Sequence, residues 1–146
     1  MESEPATPWP RRAYHAGDMA ATRVLIADDQ EGHRKLLDLL LSLEGYELTL
    51  VEDGREALEH LQTHTPDLAI LDVTMPFLSG LEVADRIRRV ARLKDVKIIV
   101  LTAMRDERTR DLARAAKVDA LVLKPLEGKD FRALVREVLA GVKQTI

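Results

Sequence analysis

Three carboxylates, a hydroxyl and an ammonium stand at the ends of short apolar runs in this 146-residue chain. Val24-Leu25-Ile26-Ala27 runs into Asp28-Asp29, and Leu68-Ala69-Ile70-Leu71 into Asp72. Ile98-Ile99-Val100-Leu101 runs into Thr102-Ala103, and Ala120-Leu121-Val122-Leu123 into Lys124-Pro125. Carboxylates held together repel, and each raises the pKa of the others unless a cation intervenes. An oxygen-only donor set with open positions suits Mg2+, which keeps several waters and partners with phosphate. Cys is absent and no His stands at these run ends, so zinc is disfavoured. A Lys adds a second positive charge, and a Thr hydroxyl can donate to a phosphoryl oxygen. Around a carboxylate able to act as nucleophile, these groups would stabilise the charge on a transferring phosphoryl group. Singly, Asp and Thr at such positions are more often helix caps. Four run ends carrying them together favour the chemical reading.

For these residues to meet, the runs must lie side by side. Between them the pattern turns helical. Residues 31–43 place Leu36, Leu37, Leu40 and Leu43 at helical spacing, and Glu44-Gly45 ends that helix. Tyr46 to Val51 reads as a second strand, and a helix runs from Asp53-Gly54 to about Gln62, with Pro66 as the next break. Gly80 precedes a helix carrying Leu81, Val83, Ala84, Ile87 and Val90. Asp106 to Ala116 and residues 127–140 read as the last two helices, the final one with Phe131, Leu134, Val135, Val138 and Leu139 on one face. Strands of near-continuous hydrophobicity belong to a parallel sheet covered on both faces. Five strands alternating with five helices predict an α/β doubly wound fold, flavodoxin-like, with strand order 2-1-3-4-5. In such a sheet, ligands bind at the carboxyl ends of the strands, where the polar residues fall.

Composition narrows the function. Lys and Arg number 22 against 25 Asp and Glu, a net charge of −3, which argues against direct nucleic-acid binding. Aromatics are 3% of residues, and Trp9 and Tyr14 fall in the amino-terminal segment, so a base-stacking surface is not expected. No apolar run is long enough for a membrane span, and none resembles a signal peptide, so a cytoplasmic location with no membrane partner is expected. Residues 1–21, with Pro5, Pro8 and Pro10 and no apolar periodicity, read as a disordered tail, with 22–146 as the folded domain. Trp9-Pro10-Arg11-Arg12 in that tail is either a docking peptide or part of an inert extension.

The assembled pattern resembles the receiver domain of bacterial two-component response regulators, the CheY-like superfamily. The residues that carry the resemblance are Val24 to Asp29, Val51 to Leu58, Asp72-Val73-Thr74-Met75-Pro76 with Gly80-Leu81-Glu82, Leu101-Thr102-Ala103 and Leu123-Lys124-Pro125. Their spacings are 43 residues (29 to 72), 30 (72 to 102) and 22 (102 to 124). The resemblance runs from about Arg23 through the last helix. It implies that Asp72 accepts a phosphoryl group from a sensor histidine kinase or from acetyl phosphate. It implies that Asp29, Asp72 and the backbone carbonyl of Thr74 hold Mg2+, with Asp28 acting through metal-bound water. It further implies that Lys124 pairs with Asp72 and then with the phosphate, that Thr102 moves in to bond a phosphate oxygen, and that Lys124-Pro125 is cis. The chain would then be a phosphorylation-dependent signalling switch, not an enzyme acting on an external substrate.

Three departures from the family pattern stand out. Leu121 occupies the position, three before Lys124, where the family usually has Tyr, Phe or His. Lys117 stands at a usual Gly. Thr74 and Met104 stand where other receivers often carry residues that position the hydrolytic water. Slow loss of phosphate is therefore expected. So is a switch whose energy comes from contacts across helix 4, strand 5 and helix 5, near Arg108, Arg114 and Arg136, with a second copy or a downstream protein. An alternative is a receiver-like dimerisation module that is never phosphorylated. A phosphomonoester-cleaving enzyme is a third reading, disfavoured because Thr74 stands where a second Asp would be wanted.

Other clusters have plainer readings. His60 and His64, four apart, would need further ligands to hold a metal. His15 and His33 carry no partner signal. Arg86 to Arg92 reads as a solvated helix face. Arg105, Arg108, Arg110 and Arg114 form a second basic run, a solvated face or a docking surface. After Gly141 only Val142 to Ile146 remain, which leaves a stand-alone receiver and an excised one both open.

Overall fold

A computed structural model describes residues 21–146. The expected tail, with Trp9 to Arg12, His15 and Tyr14, lies outside the described residues except for residue 21. The elements are β1 (Arg23–Ala27), α1 (Glu31–Ser42), β2 (Glu47–Val51), α2 (Gly54–Thr63), β3 (Leu68–Asp72), α3 (Gly80–Arg88), a 3-10 turn (Ala91–Leu93), β4 (Lys97–Thr102), α4 (Glu107–Ala115), β5 (Ala120–Leu123) and α5 (Gly128–Leu139). All pairings are parallel and the order is β2-β1-β3-β4-β5, as expected from the alternating pattern.

Side chains alternate across a strand, so each run feeds two cores. Leu25, Ala69, Leu71, Ile98 and Val100 pack with residues of α2, α3 and α4. Val24, Ile26, Leu68, Ile70, Ile99 and Leu101 pack with residues of α1 and α5. This double covering is why the runs are apolar throughout rather than alternating. The helices α2, α3 and α4 start at side-chain caps: Asp53 accepts from the N–H of Glu56, Ser79 and Glu82 form a capping box, and Asp106 accepts from the N–H of Thr109. Each such cap contributes about 1 kcal/mol.

Several details correct the sequence reading. In α1 the buried leucines are Leu37 and Leu41, while Leu36 and Leu43 are 42% and 70% exposed. With six leucines between 36 and 43, spacing alone admits more than one face. The pair at i and i+4 that meets the sheet wins, each side chain contributing about 2 kcal/mol on burial. Val90 lies beyond the end of α3 and is exposed. The stretch Arg86–Arg92 is not a uniform solvated face. Arg88 donates to the carbonyls of Val96 (2.7 Å) and Lys117 (3.1 Å) and to the Asp119 carboxylate (3.1 Å). Arg92 donates to the Leu61 carbonyl (2.5 Å) and the Thr65 hydroxyl (2.7 Å). These two guanidiniums bridge elements, and the bonds to Val96, Asp119 and Leu61 are half-buried, which a helix-face count does not foresee.

Candidate functional site

The carboxyl edge of the sheet brings the strand-end residues together. Asp28 follows β1, and its N–H continues the ladder to the Val51 carbonyl (3.2 Å). Its Oδ1 accepts from the Gln30 N–H (3.0 Å), while Oδ2 is buried with no hydrogen-bond partner. Arg34 holds the Asp28 carbonyl at 2.8 Å. Asp72 is the last residue of β3 and is 4% exposed. The helix α3 starts directly against it, since a Cβ on Gly80 would collide with the Asp72 carbonyl oxygen. No side chain larger than hydrogen fits there, so Gly80 is required by close approach.

Asp28, Asp29 and Asp72 each offer a carboxylate oxygen within 4.8 Å of the others. Asp28 and Asp72 are buried and Asp29 is exposed, so the group opens to solvent on one side. Among the described residues this is the one grouping of three or more potential metal ligands that include His, Asp or Glu. A purely oxygen donor set with an orphaned, fully buried carboxylate oxygen fits a hard divalent cation such as Mg2+. His60 and His64 do not acquire a third ligand. Their rings stack at 4.1 Å, 3° from parallel, and burial followed by the charge of His64 lowers the His60 pKa to about 4.

Lys124 reaches the cluster from the end of β5. Its Nζ lies 2.5 Å from Asp72 Oδ1 and 3.8 Å from Asp28 Oδ2. Its peptide bond to Pro125 is cis. Burial pushes the Asp72 carboxyl above the usual range. The Lys124 hydrogen bond and charge oppose that rise, and the Asp28 and Asp29 charges add to it. Thr102 ends β4, is 2% exposed, and accepts the Met104 N–H at 2.9 Å through Oγ1. Thr74 and Met104, at 44% exposure, stand at the solvent side. Leu121 is half-buried and packs beside the core under α2, α3 and α4.

Two features of the site have no signature in the sequence. His33 carries no partner signal in the sequence, yet its Nδ1 lies 3.1 Å from Lys124 Nζ and 3.3 Å from Asp28 Oδ2. The loop after Asp72 carries Phe77 at φ 72°, a left-handed backbone that a bulky side chain rarely adopts. Arg55 covers the Phe77 ring at 3.7 Å, and Gly54 lets the start of α2 press against Leu78. The Lys117 departure has a local cost, because Lys117 keeps the left-handed conformation (φ 57°) that suits the Gly usual at that position.

A match to the response regulator receiver domain family spans residues 24–136. The chain belongs to that family. It is a receiver domain, the module of phosphorylation-dependent two-component signalling. It is 40% identical over 117 residues to the "Probable transcriptional regulator ycf27" of Guillardia theta, covering 80% of this chain and 45% of the relative. The chain thus spans about half the length of the curated relatives it matches, and the transcriptional regulation named for the ycf27 proteins is said of those whole proteins. Among solved structures, TrrA of Thermotoga maritima in complex with Mg2+-BeF is 39% identical, with TM-score 0.72, covering 80% of this chain and 98% of that one. The signal receiver domain of a histidine kinase from Syntrophus aciditrophicus is 30% identical, with TM-score 0.78, covering 86% and 96%. Among the described residues no helix is long and apolar enough to cross a membrane.

Proposed function

We propose that this receiver domain accepts a phosphoryl group on Asp72 from the phosphohistidine of a sensor kinase, with Mg2+ bound at Asp28, Asp29, Asp72 and the Thr74 carbonyl. The observation that carries the reading is the 2.5 Å pairing of Lys124 with a buried Asp72 inside a three-carboxylate cluster. A bound Mg2+ would supply charge neutralisation for the carboxylates and the incoming phosphoryl oxygens. The chain's own groups do the rest. Asp72 stands at the end of the β3 ladder against the start of α3, which fixes the backbone from which its carboxylate would attack. Lys124 offsets the anionic charge beside it. Thr102 holds a hydroxyl that can exchange the Met104 N–H for a phosphoryl oxygen.

Output belongs to the same reading, through the α4–β5–α5 face to a second copy or a downstream protein. Arg114 on α4 is paired at 2.9 Å with Asp111, whereas Arg136 on α5 is drawn toward the end of α1, 2.8 Å from Glu44. Such exposed pairs contribute little to stability and exchange at low cost. Self-phosphorylation and loss of that phosphate are the only chemistry this reading gives the chain. Residues 1–21 and the location in the cell are not part of it.

Mass spectrometry after incubation with acetyl phosphate and Mg2+ tests the reading. One phosphoryl adduct is expected in the wild type and none in Asp72→Asn. A full-yield adduct in Asp72→Asn, or none in the wild type with either acetyl phosphate or a phosphorylated kinase domain, overturns it. The wild type without the adduct would favour the unphosphorylated dimerisation module.

A further inference from the structure

We infer that His33 is a positioning residue for phosphoryl loading, holding the Lys124 ammonium toward Asp72; the inference rests on the reading of Asp72 as phosphoacceptor. A protonated lysine has three N–H donors and no acceptor. Two acceptors lie against Lys124 Nζ, Asp72 Oδ1 at 2.5 Å and His33 Nδ1 at 3.1 Å, while the charge of Asp28 Oδ2 stands at 3.8 Å, beyond hydrogen-bond reach. Since the ammonium can only donate, its approach fixes Nδ1 as the acceptor and places the ring proton on Nε2. An Nδ1–H aimed at Asp28 would meet the Lys124 donors head-on. The 3.3 Å approach of Nδ1 to Asp28 Oδ2 is then two acceptors converging on one cation.

Position in the chain makes this a built contact. His33 lies in the first turn and a half of α1, and Lys124 at the end of β5, 91 residues apart in sequence. They meet in a cleft of about 340 Å³ whose walls include Leu36, Leu37, Leu101 and Pro125. Low-polarity walls strengthen a hydrogen bond and raise the cost of losing it. A neutral acceptor also differs in kind from a further carboxylate. It anchors the ammonium without adding negative charge that would repel the incoming phosphoryl group.

During loading, an Asp72 carboxylate oxygen forms the new bond to phosphorus. The bond from phosphorus to the acetate oxygen breaks, and acetate leaves with the electron pair. Lys124 keeps its proton and moves one N–H from Asp72 onto a phosphoryl oxygen. His33 retains a second N–H throughout, so the ammonium pivots instead of swinging away.

The test compares wild type, His33→Leu and His33→Asn for the rate of adduct formation from acetyl phosphate with Mg2+. Leu fills the space with no acceptor, whereas the Asn side-chain oxygen takes the place of Nδ1. Loading is expected to slow about five- to tenfold in His33→Leu and to return to within about twofold of wild type in His33→Asn. Equal melting temperatures for the two variants would show that the difference is not one of folding. Nitrogen NMR of the wild type should place the ring proton on Nε2. Equal loading rates in wild type and His33→Leu, or a slow His33→Asn as stable as the wild type, would overturn the inference. Failure of the wild type itself to load would instead overturn the assignment of Asp72.

Discussion

At the amino ends of β4 and β5, Arg88 meets the Asp119 carboxylate, which also accepts the Ile98 N–H at 2.8 Å. The remaining Arg88 donors go to carbonyls of the Val96 turn and Lys117. Charge and hydrogen-bonding capacity are both met there. At the carboxyl ends of the same sheet, three carboxylates cluster, one lysine reaches two of them, and a buried Asp28 oxygen has no hydrogen bond. Both ends are built from Asp and a basic residue. One is closed on itself and supports the fold, and the other keeps capacity in reserve for a cation and an anion. Unmet polar capacity, rather than charge alone, separates a site from a brace.

Breaking the closed end should cost the most. Arg88→Leu leaves the Asp119 carboxylate and two carbonyls short of partners, an expected loss of about 3 kcal/mol by urea unfolding. Phosphoryl loading per folded molecule should stay at the wild-type level. An unchanged midpoint would mean that the closed end is not a brace.

The acid limb of stability sharpens the comparison next. His60, near the carboxyl end of α2, has its pKa lowered from the ordinary 6.5 to about 4 by burial and by His64. It is neutral in the fold and charges freely when unfolded. Its contribution is complete above pH 6.5 and is lost as pH falls from there toward 4. A decline of about 2 kcal/mol across that window is expected, and His60→Leu should flatten it. An equally steep decline in the variant would remove His60 as its source.

At the open end the sign reverses. Burial raises the Asp72 pKa, so its ionised form costs the fold stability at neutral pH; that cost shrinks as pH falls through the folded pKa and is gone only below the ordinary value of 3.8. Asp72→Asn should melt a few degrees higher than wild type at neutral pH without divalent cations. The gap should close in acid, and also on adding Mg2+, which stabilises only the wild type. A lower melting temperature for Asp72→Asn would contradict the view that the open end is held at a cost.

The smallest effect concerns Lys117, the one strained non-glycine residue at the closed end. Lys117→Gly relieves the left-handed backbone but frees the unfolded chain, for a net gain of about 0.5 kcal/mol. No gain at all would mean that the Lys117 side chain offsets the strain by contacts of its own.

Much of the architecture could be read in the sequence because double-sided burial leaves an unmistakable trace. Val24 to Ala27, Leu68 to Leu71 and Ile98 to Leu101 have no polar interruption until the strand ends. Asp28, Asp29, Asp72, Thr102 and Lys124 were legible for the same reason, since each breaks such a run at its carboxyl end. His33, Arg88 and Arg92 were not. Their partners lie 91, 31 and 31 residues away, and nothing in their local spacing marks a contact that only the crossovers create. The face of α1 was ambiguous because leucine fills nearly every position from 36 to 43.

The Arg88 bond to the Lys117 carbonyl also fixes how α4 can move. That helix is nine residues, about 13 Å, long. Its carboxyl end is tied through Lys117 to Arg88, and its amino end follows Thr102 by four residues, 103–106. A displacement of Thr102 would then reach the amino end of α4, Glu107 to Arg110, more freely than Ala115, whose end is held by the Arg88 bond. A shift of Thr102 toward a phosphate would therefore be read in the first turn of the helix, at the end nearest the phosphoacceptor.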